Sequence, residues 1–187
     1  MLKTYISIMR YAALAATILC GGSALAQTTA TGVINGVLVN KNGISLQFDT
    51  DPAGVTLGAA GTNAATANFG TVSAFGPLAA GVTRPSVTAA NFTVWTIFNV
   101  QVIQGGLTST TYTLTANLAA AAPTGMSYKV DAITLTTALQ SIQVNAAYNT
   151  DIAHNLDLIV STAAPGAGGP AVATPITTTI NFTATAN

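Results

Sequence analysis

The stretch NFTVWTIFNVQVIQGGLTSTTYTLTANL, residues 91–118, has the clearest strand pattern in the chain. Its first half is apolar on both faces over 92–103, as is typical of a central strand. In its second half every other residue is apolar, which indicates a strand with one buried and one wet face. These alternating residues are Tyr112, Leu114, Ala116 and Leu118. With Gly105 and Gly106 as the turn, the stretch predicts one long β-hairpin.

Shorter alternating segments on both sides of this stretch predict further strands. They lie at 31–40, 44–48, 126–135, 141–146, 155–160 and 176–185. The turn signal Lys41-Asn42-Gly43 predicts that 31–40 and 44–48 form a hairpin. Residues 52–90 are rich in small and turn-forming residues, which favours loop with short strands at 55–57 and 69–72.

About eight to ten short strands without an amphipathic helix predict an all-β fold. The expected architecture is an antiparallel β-sandwich of the immunoglobulin-like Greek-key type. A closed barrel or a jelly roll is the alternative. No disulfide can form within the chain, because Cys20 is its single cysteine.

Residues 1–26 are predicted to be a secretory signal peptide. Lys3 and Arg10 precede the apolar run at 11–20. The small residues of Ala24-Leu25-Ala26 then supply a cleavage site. The run is shorter than the ~20 residues that span a membrane. Lipidation at Cys20 is disfavoured because Leu19, not a small residue, precedes it. Cleavage would leave one domain, 27–187, without a transmembrane segment, secreted or held in the periplasm or at the surface of a bacterial cell.

Charged residues are unusually rare, at 5% of the chain, against ~25% in ordinary domains. Without the signal peptide, three of the five cations remain against five aspartates, so the net charge is 3 − 5 = −2. Such a chain lacks the cationic surface that nucleic acids or anionic lipids require. Weak repulsion between copies favours self-association, so other copies or other surface proteins are the expected partners.

Catalytic sets are not evident in the sequence. His154 is the single histidine, and Asp151 and Asp157 lie three residues to either side, which in a strand places them on the opposite face. A surface histidine at the start of a strand is the favoured interpretation. Asp49 and Asp51 are the closest pair of carboxylates, and their position before a proline indicates turn residues rather than a glycosidase pair. We therefore predict no enzyme.

A calcium site near Asp49 and Asp51 is the sharpest cofactor hypothesis. Asp49-x-Asp51-x-x-Gly54 matches the start of a calcium-binding loop, but Ala53 and Ala60 stand where further oxygen ligands belong. A calcium site built from carbonyl oxygens stays open. Zinc and iron sites lack ligands, and we predict no cofactor.

Aromatic residues provide a second functional hypothesis, a carbohydrate- or ligand-binding module. Four candidates for a sugar-binding platform are Trp95, Tyr112, Tyr128 and Tyr148. Because Trp95 lies in the most apolar strand, packing in the core is the favoured interpretation.

The motif Phe69-Gly70-Thr71-Val72, the threonine-rich strands and the terminal strand 176–185 resemble bacterial pilin subunits of chaperone–usher systems and the related spore-coat-U-like proteins. Such proteins are exported structural subunits that lend an N-terminal strand to a neighbour's sheet. This chain differs by lacking a disulfide and by ending Ala-Asn rather than near a tyrosine.

The segment of this chain that corresponds to the donated strand would contain Val33, Gly36, Val37 and Val39. The favoured expectation is that these residues form the domain's own first strand, with the valines buried in the core. The predicted function is a structural or adhesive surface protein.

Overall fold

Two β-sheets face each other across one apolar core. The computed structural model describes residues 28–37, 43–161 and 175–187, which contain eleven strands and no helix. No helix in these ranges is therefore long and apolar enough to cross a membrane. The all-β prediction is confirmed for this part of the chain. The predicted signal peptide, Cys20 and the turn residues Lys41 and Asn42 lie outside the described residues.

The strands follow one another with loops of very different length. They are β1 (Thr28–Val37), β2 (Ile44–Thr50), β3 (Ala64–Val72), β4 (Thr83–Val87), β5 (Asn91–Gln104), β6 (Thr111–Leu118), β7 (Met126–Val130), β8 (Ile133–Thr134), β9 (Gln140–Ala147), β10 (Ile152–Ser161) and β11 (Pro175–Ala186).

Sheet A contains five strands in the order β3-β1-β11-β6-β9. Sheet B contains six, with β2-β5-β10-β7-β8 in a row and β4 beside the first half of β5. All described pairs are antiparallel except β1 and β11, which run parallel. The strands nearest the two ends of the described chain thus lie side by side in the middle of sheet A.

Both predicted hairpins are wrong, although their strands exist. The two halves of 91–118 form β5 and β6, which belong to different sheets. Likewise β1 pairs with β3 and β11, whereas β2 pairs with β5. Gly105 extends the β2–β5 ladder, because its N–H donates to the Gly43 carbonyl at 2.7 Å, and the bend itself lies at Gly106, whose φ is +72°. A glycine turn can redirect a chain into the facing sheet as readily as it can reverse it.

The core is filled by the alternating apolar residues of both sheets. In β6 the buried residues are the predicted ones, Tyr112, Leu114, Ala116 and Leu118. In β11 every second residue from Ile176 to Ala184 is buried, in agreement with the alternation of its sequence. Three aromatic rings connect the sheets, with Phe48 and Phe98 from sheet B and Phe182 from sheet A at centroid distances of 5.4–6.2 Å. The tilted and edge-on ring pairs are the arrangements that aromatic quadrupoles favour.

Three segments differ locally from the sequence prediction. The region 52–90 contains β3 and β4 in addition to loops, and Val55 and Leu57 are buried without forming a strand. The strand predicted over 126–135 is divided by a turn at Asp131 and Ala132, both at positive φ. In β9 two register shifts turn Val144 outward, where 64% of its surface is exposed.

Candidate functional site

β1 contains the segment that the resemblance to pilin subunits would assign to strand donation, and that the sequence favours as the domain's own first strand. In this chain it lies inside its own sheet: Thr29–Val37 align with β11 on one side, and Thr28–Asn35 align with β3 on the other. A strand of this kind holds β3 and β11 together, because those two strands have no direct pairing in sheet A. The β1 backbone is therefore required for the continuity of the sheet.

The inward face of β1 differs from the expected one. Ile34 is fully buried, whereas Val33 is half-buried on the outer face beside Thr179. Only the backbone of Val37 is described, opposite Thr183, and Val39 lies outside the described residues. The prediction that valines carry this strand's core contacts is thus wrong for Val33, because the buried positions are the even-numbered ones.

Gly36 is required by packing on the inward face of β1. A Cβ at this position would lie 2.7 Å from Leu46 Cδ2, 3.0 Å from the Asn63 carbonyl oxygen and 3.1 Å from Phe48 Cε2. Its neighbour in β11 is Phe182, one of the three core rings. The absent side chain thus leaves room for the aromatic cluster.

His154 is buried, so the prediction of a surface histidine is wrong. It lies on the inward face of β10 with 2% of its surface exposed, and its ring is 5.9 Å from that of Phe98. Its Nδ1 lies 2.5 Å from Oδ2 of Asp131, a residue at the β7–β8 turn. The other oxygen of Asp131 accepts the Asn155 N–H at 2.8 Å. Neither flanking aspartate, Asp151 or Asp157, contacts the ring.

The Asp131–His154 pair has the composition of a catalytic acid–base pair but not the access that one requires. Burial alone would raise the pKa of Asp131, but the hydrogen bonds from His154 and Asn155, together with the His154 charge, hold that pKa below its usual range. An ionised carboxylate only accepts, so Nδ1 carries the proton. Nε2 is then enclosed in the core, with no hydrogen-bond partner among the described residues. A substrate on the surface could not reach Nε2, and the pair instead fastens the β7–β8 turn to β10.

Sequence reasoning missed this pair because Asp131 is 23 residues before His154. A usable signal was present. Asp131 follows the buried alternating residues of β7 directly, and His154 shares the parity of Leu156 and Leu158, which are buried in β10. The phase of the alternation therefore placed the histidine inside.

The aromatic candidates are dispersed over the molecule. Tyr112 and Tyr148 stack at 5.3 Å in the core, where burial first and the charge of Tyr148 second raise the pKa of Tyr112 to about 12. Tyr128 is buried and accepts a hydrogen bond at 2.6 Å from Thr178 of the facing sheet. Trp95 is half-buried on the outer face of sheet B, so the expectation of core packing is wrong for it. The four residues do not form one platform.

Asp49 and Asp51, the proposed calcium ligands, make different contacts. Asp51 Oδ1 accepts the Ala53 N–H at 2.8 Å, which is a local turn interaction, and Asp49 lies on the outer face of β2 opposite Asn99. No group of three or more His, Cys, Asp or Glu side chains suited to a metal ion occurs in ranges 28–37, 43–161 and 175–187. A calcium site made of carbonyl oxygens stays the untested alternative to the prediction of no cofactor.

No protein-family model matches the chain, and no curated protein sequence is significantly similar to it.

Proposed function

We propose that this protein is an exported, non-enzymatic structural subunit that assembles with copies of itself at a bacterial surface. The observation that carries the proposal is the position of β1. A strand close to one end of the described chain occupies the middle of sheet A, between β3 and β11. The low charge of the chain supports the same role, because copies repel one another weakly.

Assembly would proceed by exchange of β1 between copies. The place between β3 and β11 accepts a strand with Ile34 and Gly36 inward, whichever copy supplies it. Addition of an extended segment to a sheet is a recurrent mode of protein recognition. Since the donated strand and the place that receives it are different surfaces, the contact is head-to-tail and generates open chains. This is the route that the resemblance to pilin subunits implies.

We further infer that the two sheets have an immunoglobulin-like Greek-key topology. The support is that neighbours within a sheet come from distant parts of the chain: β10 lies between β5 and β7, and β11 lies between β1 and β6. Connections that pass from one sheet to the other produce such orders.

Disulfide trapping tests the exchange directly. The Cα atoms of Asn35 and Asn181 are partners in adjacent strands on the outer face of sheet A. Adjacent strands lie about 4.8 Å apart, within the range of about 4.4–6.8 Å that a disulfide requires. Residues 27–187 contain no cysteine, so a variant with N35C and N181C carries the two introduced cysteines and no others.

Exchange predicts a ladder of covalent multimers after oxidation, seen on non-reducing gels, and multimers of the unsubstituted protein in light scattering. The matched control, N35C alone, should stop at dimers. Intrachain bonds alone, together with a monomer at high concentration, would overturn the proposal.

A further inference from the structure

The outer face of sheet B contains one cross-strand row that joins an aromatic side chain and two opposite charges. Trp95 on β5 is aligned with Asp157 on β10, which is aligned with Lys129 on β7. Thr83 and Thr134 end this row on either side. Directly opposed residues on one face have Cβ atoms about 4.5–5.5 Å apart. We call Trp95, Asp157 and Lys129 the Trp95 row.

The polar groups of the Trp95 row make no hydrogen bond within the described protein, although Lys129 and Asp157 attract each other electrostatically. The indole N–H of Trp95 donates no hydrogen bond there and is not among the enclosed unpaired atoms, so it faces solvent. The Asp157 carboxylate and the Lys129 ammonium also make no hydrogen bond, and the single ion pair in the described ranges is Asp131–His154. An indole N–H, a carboxylate and an ammonium group thus lie side by side without hydrogen-bond partners in the described protein.

Asp157 is held in an environment that does not favour its charge. Burial, with a smaller effect of Asp131, raises the pKa of Asp157, although Lys129 acts in the opposite direction. A half-buried carboxylate without a hydrogen-bond donor destabilises the fold relative to a neutral side chain. Unfavourable groups of this kind concentrate at binding sites, where a ligand supplies the missing donors.

The outward residues of two strands of sheet A have a different composition from the Trp95 row. In β6, and in β11 from Thr177 onward, every outward residue is a threonine or an asparagine, so none of these outward side chains is charged or aromatic. The Trp95 row is therefore a local feature rather than a property of both faces.

We propose that the Trp95 row binds a neutral saccharide chain laid across strands β5, β10 and β7. The indole offers a flat apolar surface with a polar edge, which suits the C–H face of a sugar ring. Asp157 accepts hydrogen bonds from hydroxyl groups and Lys129 donates to them. Because the two charges are opposite and adjacent, they favour a polyhydroxylated ligand without net charge. The row lies across a sheet face, which fits an extended glycan.

The binding test uses Trp95 itself, because it is the single tryptophan of the chain. The purified protein is titrated separately with cellohexaose, xylohexaose, maltohexaose and N-acetylchitohexaose while the tryptophan emission is recorded. Saturable quenching or a spectral shift with at least one of these neutral glycans is expected. No saturable response to any of them at millimolar concentration would overturn the proposal.

Two variants locate the site, with affinities measured by calorimetry. Trp95→Ala should abolish binding, and Asp157→Asn should weaken it at least about tenfold, since hydrogen bonds to charged groups are among the stronger ones. The control Asp151→Asn removes the same charge at an exposed residue outside the row and should leave the affinity unchanged.

Thermal unfolding checks that each variant folds; Asp157→Asn removes an unfavourable charge and should melt no lower than the parent. Unchanged affinity in a folded Asp157→Asn variant would refute the assignment. The proposal is independent of assembly, since β1 is in the other sheet.

Discussion

Thr96 shows how one buried hydroxyl fixes two loops against a central strand. It lies on the inward face of β5 with none of its surface exposed. Its Oγ1 accepts the Val55 N–H and donates to the Gly81 carbonyl, both at 2.8 Å. Two loops that the sequence pattern left without defined positions are thereby held by one side chain.

Replacing Thr96 by valine should destabilise the protein by about 1–3 kcal/mol, because a buried backbone donor and acceptor would lose their partner while the shape is kept. Urea unfolding measures the change. The control Thr93→Val alters the outward face of the same strand, where no side-chain hydrogen bond is made, and should change stability by less than about 0.5 kcal/mol. Equal losses in both variants would contradict this account.

Asp131 should make the folded state sensitive to acid. Its pKa is lower in the folded chain than its ordinary value. Burial acts against this, but the hydrogen bonds that the carboxylate accepts from His154 and Asn155 favour the charged form more strongly. The charged form therefore stabilises the fold above the unfolded pKa of about 3.9, and this contribution disappears as the pH falls through the folded value. Asp131→Asn cannot ionise, so its stability should fall less steeply below about pH 4 than that of the parent. Urea midpoints across the acid range test this, and parallel curves would exclude the role.

At the scale of the strand, Gly36 and Gly32 form a natural comparison. Both lie on the inward face of β1, but a Cβ at Gly32 would be 3.5 Å from the Ala67 carbonyl oxygen and 3.9 Å from Leu156 Cδ2, which are ordinary contacts. At Gly36 the nearest atom would be 2.7 Å away. Sequence spacing treats the two glycines alike, whereas packing does not.

Gly36→Ala should therefore cost about 1–3 kcal/mol of stability through overpacking. Gly32→Ala should be neutral or slightly stabilising, since alanine in a strand loses less conformational entropy than glycine. Denaturant unfolding of the two variants gives the comparison. A loss at Gly32 equal to that at Gly36 would show that the space around Phe48 and Leu46 is not what selects glycine.

Alternation in the sequence predicted strands and their buried faces better than it predicted their partners. The faces of β6 and β11 are as predicted, because period two follows from the geometry of a single strand. Pairing depends on the path of the chain between strands, and the loop after β5 leads into the other sheet. In β9 the register shifts reversed the face of Val144, which no regular period could foresee. The Asp131–His154 pair could not be predicted from spacing, because the fold brings together residues that are 23 positions apart.

At the scale of the whole molecule, β1 and β11 bring the two ends of the described chain into one parallel pair. Parallel neighbours require a long connection, and here nearly the whole domain is that connection. Consequently, no short hairpin turn connects β1 to β3 or β11, the two strands with which it pairs. In the proposed assembly, an identical strand from another copy would take this place and make the same contacts in the core.

Deleting residues 28–37 should therefore unfold the domain. The deletion removes Ile34, whose full burial is worth about 1.5–3 kcal/mol, and leaves the inner edges of β3 and β11 without their ladder partners. Against a total stability of about 5–15 kcal/mol, the loss of a whole central strand is not sustainable. Circular dichroism of the truncated chain should show loss of the cooperative thermal transition. A truncated chain with an unchanged melting temperature would contradict the central place of β1.

The same truncated chain tests whether β1 can be supplied from outside. A synthetic peptide of residues 28–40 should restore the cooperative transition when refolded with it, because the place between β3 and β11 recognises the strand by Ile34 and by the space over Gly36. Peptides carrying Ile34→Asp or Gly36→Val are the matched controls and should fail, the first by burying an unpaired charge and the second by overpacking against Leu46 and Phe48. Rescue by the native peptide alone would mean that the strand needs no covalent link to its sheet, which is the property that head-to-tail assembly requires. Equal rescue by all three peptides would show that the sheet edges accept any extended chain, and failure of all three would tie β1 to its own domain.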